Sequence, residues 1–142
     1  MINDISTNLE DPPVFEYIPM KKAQKMDYCK NRAFEQRKKH PEIKTLVLAK
    51  QENLNLFNKV LKCAKACPNW KLHSVNPDNL KIEATATTPI LRFKDDLVIE
   101  IRERNKKEWA IEMRSKSRLG RNDFGANAKR ITMFFEKLRK HV

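Results

Sequence analysis

Glycine is almost absent from this chain of 142 residues, which contains only Gly120 and Gly125. Glycine-rich phosphate loops therefore have no counterpart here, and neither a Walker nor a dinucleotide-binding signature occurs. Glycine reaches positive φ without steric cost and lets other groups approach the backbone closely. The two glycines thus mark where unusual geometry is most needed, an arginine-rich stretch over residues 117–130.

Cysteine is scarce too, and its three residues are Cys29, Cys63 and Cys67. A small, odd number argues against a disulfide framework. Cys63 and Cys67 would share one face of a helix, but no further ligands stand nearby at metal-binding spacing. We therefore expect structural or free thiols, no metal and no cofactor, and a reducing, cytoplasmic compartment.

Long apolar runs are missing as well. No segment approaches the roughly 20 apolar residues that cross a bilayer. The N-terminus lacks the basic region and apolar run of a secretory signal. We expect no transmembrane segment, which leaves peripheral membrane association as the alternative to a purely cytoplasmic location. Aromatic residues make up 8% of the chain, and most lie on apolar stripes, so the open stacking face of single-strand binders is not apparent.

Positive charge, in contrast, is abundant. Lys and Arg number 30 against 18 Asp and Glu, which gives a net charge of +12. The excess lies in two blocks, residues 20–50 and 104–142, whereas residues 1–19 contain acids and no Lys or Arg. Such blocks attract nucleic acid, anionic membranes or acidic protein segments, although they also serve solubility alone.

Hydrophobic periodicity predicts an α+β domain over residues 40–142, preceded by an N-terminal arm and basic helical segment over residues 1–39. A strand over 44–49 and a helix over 52–67 precede four strand-like segments and a helix over about 125–140. The expected sheet is antiparallel and has about five strands, with two amphipathic helices on one face.

Two details of this prediction concern connections. The strand over 81–88 is expected to be interrupted at Pro89 and to continue through Ile90, Leu91 and Phe93. The acidic arm is expected to pack along the domain, because residues 14–18 are too apolar for a free tail.

Four stretches carry a resemblance to a known family: DPPVF at 11–15, HPEIK at 40–44, IEATATT at 82–88 with RFKDD at 92–96, and RSKSR at 114–118 with GRNDFGANAKRI at 120–131. On these stretches the sequence resembles domain-of-unknown-function family 1499, found in bacteria and plastid-bearing eukaryotes. The resemblance implies a shared fold and a shared site, but no reaction. Many relatives place a membrane segment or lipoprotein-like signal before this domain, and neither is visible here.

The arginine-rich stretch is the candidate site. Arg118 and Arg121 flank Gly120 just before a helix N-terminus, where free N–H groups and the helix dipole favour an anion. Guanidinium groups bind phosphate and carboxylate in bidentate fashion. The candidate ligand-binding residues are Ser115, Ser117, Arg118, Gly120, Arg121, Asn122, Asp123, Asn127 and Arg130.

The same residues also support an architectural interpretation. Asn122 or Asp123 can cap the final helix, and Asp123 can pair with Arg118 or Arg121, so that the motif locks strand to helix. Lys94, Asp95 and Asp96 form a second candidate part of the site. They are expected to be a turn, and the two carboxylates could meet the arginines.

These observations favour a non-catalytic binding module whose ligand is an anionic small molecule, a lipid headgroup or an acidic protein segment. One alternative is sequence-neutral nucleic-acid binding through the basic blocks. The other is an enzyme of unknown class, although His40, His73 and His141 are scattered and match no nucleophile or metal spacing.

Overall fold

An antiparallel sheet organises the computed structural model, which describes residues 2–19, 30–120 and 123–142. The elements within these ranges are β1 (Asp4–Ser6), α1 (Lys30–Lys39), β2 (Leu46–Ala49), α2 (Asn53–Ala66), β3 (Trp70–Asn76), β4 (Lys81–Thr87), β5 (Lys94–Glu103), β6 (Glu108–Ser117) and α3 (Ala126–Arg139). The predicted α+β class is confirmed. The described sheet has six strands rather than about five, because residues 4–6 of the arm pair with β6.

Strand β6 is the most enclosed strand. The sheet order is β1-β6-β5-β4-β3, and β2 also pairs with β6. Strand β1 pairs with residues 114–116 and β2 with residues 108–111, so the two short strands share one side of β6 end to end. Because β5 lies along the other side, β6 is bordered on both sides, and the candidate site begins where it ends.

Helices α2 and α3 cover one face of the sheet. Their buried residues repeat at three- and four-residue spacing, which is the helical period. These residues are Leu56, Phe57, Val60, Cys63 and Ala64 in α2, and Asn127, Ala128, Ile131, Phe134, Phe135 and Leu138 in α3. Trp70 of β3 stacks on Phe134, with ring centroids 5.4 Å apart. Packing in this core fixes the position of the N-terminus of α3 relative to the ends of the strands.

The thiols of α2 belong to this packing. Cys63 is buried, Cys67 is partly buried, and neither is in a disulfide. Burial raises the pKa of both thiols. The prediction of structural or free thiols is therefore confirmed for Cys63 and Cys67, whereas Cys29 lies outside the described residues.

The opposite face of the sheet is covered by the N-terminal arm, which confirms the expectation that the arm packs along the domain. Phe15 and Ile18 form a small apolar cluster with Val98 of β5. The carboxylate of Glu83, on β4, accepts hydrogen bonds from the backbone N–H groups of residues 16, 17 and 18 at 3.0, 2.8 and 3.0 Å. A strand residue that is itself buried thus holds the arm in place.

Lys81 forms a second tether for the arm. Its ammonium lies 2.8 Å from Glu16 and 3.2 Å from Glu100. Burial opposes the charge of Lys81, but the hydrogen bonds with Glu16 and Glu100 outweigh burial and raise its pKa. The hydrogen bond from Lys81 lowers the pKa of Glu16.

Helix α1 lies against β1. The side-chain amide of Gln36 accepts from the backbone N–H of Ser6 at 3.0 Å and donates to its carbonyl at 2.7 Å. The buried amide thus takes the place of a neighbouring strand at the edge of β1. Residues 20–29 of the predicted basic segment lie outside the described residues.

The predicted continuation of β4 is wrong. The strand ends at Thr87, and residues 88–93 form a closed loop in which Thr88 N–H donates to the carbonyl of Phe93 at 2.9 Å. Pro89 cannot donate to the sheet ladder, and Arg92 adopts a left-handed conformation, with φ of 57°, that reverses the chain. The apolar residues 90, 91 and 93 therefore lie on a loop instead of in the sheet.

Candidate functional site

The two adjacent carboxylates of β5 point to opposite faces of the sheet. Asp95 pairs in register with Ser117, and Asp96 with Lys116. The prediction of a turn at 94–96 is wrong, because these residues begin β5, where all three pair with β4 and Asp95 and Asp96 also pair with β6. Since successive strand residues face opposite ways, Asp95 belongs to the helix-covered face and Asp96 to the face under the arm.

Asp95 faces a buried polar network at the start of α3. Its carboxylate lies 2.9 Å from the guanidinium of Arg130, and the Asp95 side chain is only 3% exposed. Arg130 also donates to Asn127 Oδ1 at 2.9 Å and to Ser115 Oγ at 3.1 Å. These contacts join β5, β6 and α3 by charge-assisted hydrogen bonds.

Asn127 is the centre of this network. Its Oδ1 accepts from Ser115 Oγ at 2.7 Å, and its Nδ2 donates to Ser117 Oγ at 2.9 Å and to Asp123 Oδ2 at 2.8 Å. Asn127 and Ser115 are fully buried. Within the described chain, these predicted ligand residues thus bond one another, an arrangement that supports the architectural interpretation.

Asp123 caps α3 from a position two residues before the structural N-cap, Gly125. Its carboxylate accepts from the backbone N–H of Gly125 at 2.8 Å and of Asn127 at 3.2 Å. Gly125 itself has φ of 83° and no side-chain cap. Asp123, one of the two predicted cap candidates, thus caps the helix, and Asn122, the other candidate, lies outside the described residues.

Replacing Asp123 by alanine is expected to lower the free energy of unfolding by about 1–2 kcal/mol, because two helix N–H groups lose their acceptor. Urea denaturation measures the change, and Asp78→Ala in the exposed β3–β4 turn is the control. Equal, negligible effects of the two substitutions would show that the cap contributes nothing.

Both glycines have the positive φ that the sequence predicts, 86° at Gly120 and 83° at Gly125. A Cβ at either position would meet no heavy atom within 4 Å. Backbone conformation, rather than space, therefore requires glycine at these positions. The Gly120 carbonyl accepts a hydrogen bond from the side chain of Asn3, which ties the loop after β6 to the arm.

On the opposite face, Arg118 is clamped by Asp96. Its Nε lies 3.1 and 3.0 Å from the two carboxylate oxygens, and one terminal nitrogen lies 2.9 Å from Oδ1. The hydrogen bond to Asp96 raises the pKa of Arg118. The Arg118 side chain is nevertheless 47% exposed, so its remaining N–H groups face solvent. The carboxylate orients this guanidinium without enclosing it.

The hydroxyl of Thr85 sits among three partners. It donates to Asp96 Oδ1 at 2.8 Å, because a carboxylate only accepts, and it receives Arg118 at 3.1 Å. His73 Nε2, at 2.7 Å, must therefore be the donor in the remaining contact. A histidine that donates to the hydroxyl cannot serve as its general base, so this Thr–His contact is not an activated nucleophile.

A cavity of 620 Å³ opens beside Arg118, and we call it the cationic cavity. It lies where the arm, the 88–93 loop and the ends of β5 and β6 meet. Its lining residues are Phe15, Ile18, Pro19, Arg92, Phe93, Lys94, Asp96, Lys116, Ser117, Arg118 and Leu119. Four of these residues are cationic and one is acidic.

The structure brings together only part of the predicted site. Lys94, Asp96, Ser117 and Arg118 line the cationic cavity, whereas Ser115, Asp95, Asp123, Asn127 and Arg130 form the buried network. Arg121 lies outside the described residues.

Sequence reasoning missed Arg92 and Lys116 as cavity residues. Arg92 lay in a segment taken for a strand, and alternation placed Lys116 on a polar face without showing what covers it. The RFKDD stretch was the available signal for Arg92, since it accompanied the carboxylates in the family resemblance.

A family model described as "Protein of unknown function (DUF1499)" matches residues 4–138. The chain belongs to the DUF1499 family. The resemblance noted from the sequence is thereby confirmed, and the match includes the arm, the cationic cavity and the buried network of this DUF1499 protein. A comparison with curated proteins found no match.

A structural neighbour of this DUF1499 chain is described as a conserved protein from Geobacillus kaustophilus. The two share 16% sequence identity with a TM-score of 0.36, over 68% of this chain and 90% of the other. Among the described residues, no helix is long and apolar enough to span a bilayer. The same residues contain no group of three or more His, Cys, Asp or Glu side chains placed to hold a metal ion.

Proposed function

We propose that this DUF1499 protein is a small, non-catalytic module that binds an anionic group at the junction between β6 and α3, in the cationic cavity. The observation that carries the proposal is the charge of the lining, which has four cations and one carboxylate. That carboxylate, Asp96, already pairs with Arg118, so the cavity keeps a positive excess.

The size and the walls of the cavity support a ligand of moderate size. Its volume of 620 Å³ lies within the roughly 300–1,000 Å³ of small-molecule sites. Phe15 and Ile18 from the arm and Phe93 and Leu119 from the loops supply apolar surface beside the cations. A phosphate or carboxylate attached to an apolar body matches such a lining, because the anionic group would contact the cations and the apolar body would contact the apolar side chains.

Three cations are placed to contact the anion. Arg118 is held in orientation by Asp96 but exposes half of its side chain. The Lys94 ammonium donates to the uncharged hydroxyl of Thr87 at 2.7 Å. Arg92 is exposed, and no described acid lies within ion-pair distance of it. In this proposal Ser115, Asn127 and Arg130 hold the junction in shape.

The test uses decyl phosphate as the probe, with decanol and inorganic phosphate as partial probes, in calorimetric titrations. The double variant Arg92→Ala/Lys94→Ala is expected to bind decyl phosphate at least about tenfold more weakly, because charge-assisted hydrogen bonds contribute about 1.5–3 kcal/mol each. Decanol is expected to bind more weakly than decyl phosphate to the unaltered protein.

The matched control is Lys106→Ala/Lys107→Ala, which removes the same charge from the exposed β5–β6 turn at the opposite end of the sheet. It should bind decyl phosphate like the unaltered protein. Equal weakening in both double variants would show that binding depends only on the net charge of the protein. Equal affinity of all three proteins for decyl phosphate would refute the cavity as the site.

A further inference from the structure

The two loops beside the cationic cavity carry an unusual set of side chains. Residues 88–93 connect β4 to β5, and the segment after β6 leads to α3. Together the loops line a second cavity of 640 Å³, and Phe93, Ser117 and Leu119 are shared by both cavities. The apolar side chains at this end, which we call the apolar rim, are Ile90, Leu91, Phe93, Leu119 and Phe124.

The apolar rim is strongly exposed. Ile90 and Phe124 are 91% exposed, Leu119 80%, Leu91 69% and Phe93 51%. These five are a large share of the twelve exposed large apolar residues in the described chain, although they come from two short loops. Single exposed apolar residues are ordinary, but a cluster at one end of a domain indicates an interaction surface.

The shape of the rim indicates what it contacts. Ile90, which is nine-tenths exposed, projects from the tip of its loop, so only a partner that encloses it would cover it. The 88–93 loop satisfies much of its own backbone, since Arg92 N–H donates to the Thr88 carbonyl at 3.1 Å and Phe93 N–H to Thr88 Oγ1 at 2.8 Å. A loop with internally bonded N–H groups enters an apolar interface at lower cost.

The charge beside the rim identifies the kind of surface. Arg92 and Arg118 lie on these loops, Lys94 begins β5, and Lys129 lies on the first turn of α3. The acids of the same region are engaged by the protein itself: Asp95 pairs with Arg130, Asp96 with Arg118, and Asp123 caps α3. Apolar tips flanked by cations match a bilayer interface with anionic headgroups.

We infer that this end of the protein docks on an anionic lipid surface, with the apolar rim inserted at the level of the headgroups. The cationic cavity then opens at the same level. That a headgroup phosphate enters the cavity rests on the proposed function, whereas docking through the rim does not.

The experiment measures co-sedimentation with vesicles of phosphatidylcholine alone and of phosphatidylcholine mixed with phosphatidylglycerol. The unaltered protein is expected to pellet with the mixed vesicles. The rim variant Ile90→Ser/Leu91→Ser, which leaves the lining of the cationic cavity intact, should bind them at least about tenfold more weakly, because two inserted side chains are lost. The matched control Leu54→Ser/Val75→Ser removes two exposed apolar residues elsewhere and should bind unchanged.

Other readouts separate the outcomes. If the rim variant loses vesicle binding but still binds decyl phosphate, docking and anion recognition both stand. If decyl phosphate does not bind the unaltered protein while vesicle binding still depends on the rim, the proposed function fails and docking stands. Equal vesicle binding by the rim variant and the unaltered protein overturns the inference. So does a concentration-dependent dimer that the rim variant abolishes, if no vesicle binding accompanies it.

Discussion

Replacing Asp4 by asparagine is expected to lower the free energy of unfolding by about 3–5 kcal/mol. The Asp4 side chain is fully buried and receives two hydrogen bonds from Arg114, at 3.0 and 2.8 Å. Lys116 and Arg32 lie 3.7 and 3.9 Å from the same carboxylate. Removing the negative charge of Asp4 takes the carboxylate away from a buried guanidinium, which costs more than the ion pair itself contributes.

Urea denaturation of Asp4→Asn and of Asp11→Asn measures this effect. Asp11, whose side chain is 82% exposed and lies 3.4 Å from Arg102, provides a surface ion pair for comparison, and its loss is expected to cost at most about 1 kcal/mol. The double variant Asp4→Leu/Arg114→Met should recover part of the loss, because the guanidinium that loses its carboxylate is removed as well. Equal effects of the two single substitutions would contradict the account.

Replacing Glu83 by glutamine is expected to release the arm and to lower the free energy of unfolding by about 2–4 kcal/mol. The carboxylate, which is 2% exposed, accepts three backbone N–H groups from residues 16–18. A glutamine amide has one oxygen and two N–H donors, so at least one backbone donor of the arm would face another donor. Backbone amide exchange at residues 16–18 should therefore accelerate along with the fall in stability.

The same substitution connects the fold to the proposed site. Phe15 and Ile18 form one wall of the cationic cavity, and Glu83 holds the segment that carries them. Glu83→Gln should therefore weaken decyl phosphate binding by about tenfold, because the hydrogen bonds that hold this wall of the cavity in place are weakened or lost. Glu103→Gln, at an exposed position at the far end of β5, is the control for the change in charge. Unchanged exchange at residues 16–18 would show that the carboxylate does not hold the arm.

The fold was largely predictable because its core follows simple periods. Strands β4, β5 and β6 alternate, and α2 and α3 carry apolar stripes at helical spacing, so the sheet and its two covering helices could be assigned. Strand β1 could not be assigned, because three residues within an acidic arm have too short a pattern to indicate pairing. The loop at 88–93 was misassigned because its apolar residues resemble a strand, although they lie exposed at the surface.

The position of the candidate site in the chain was predictable, but the arrangement of its side chains was not. The two glycines correctly marked positive φ, and Asp123, one of the two predicted cap residues, does cap the helix. The division of the site into a buried network and an open cavity was not visible. That division depends on Asp95 and Asp96 being in a strand instead of a turn, so that each carboxylate faces a different side of the sheet.

By itself, then, the sequence determined the α+β class, the position of the glycine-dependent junction and the excess of positive charge, because these follow from local propensity, periodicity and composition. Only the tertiary structure decided which arginine is buried beside Asp95 and which opens beside Asp96. The tertiary structure also decided that the arm forms one wall of the cationic cavity and that two loops with apolar side chains meet beside the cavity. The reason is that these features arise from contacts between segments far apart in the chain, whose register no local pattern specifies.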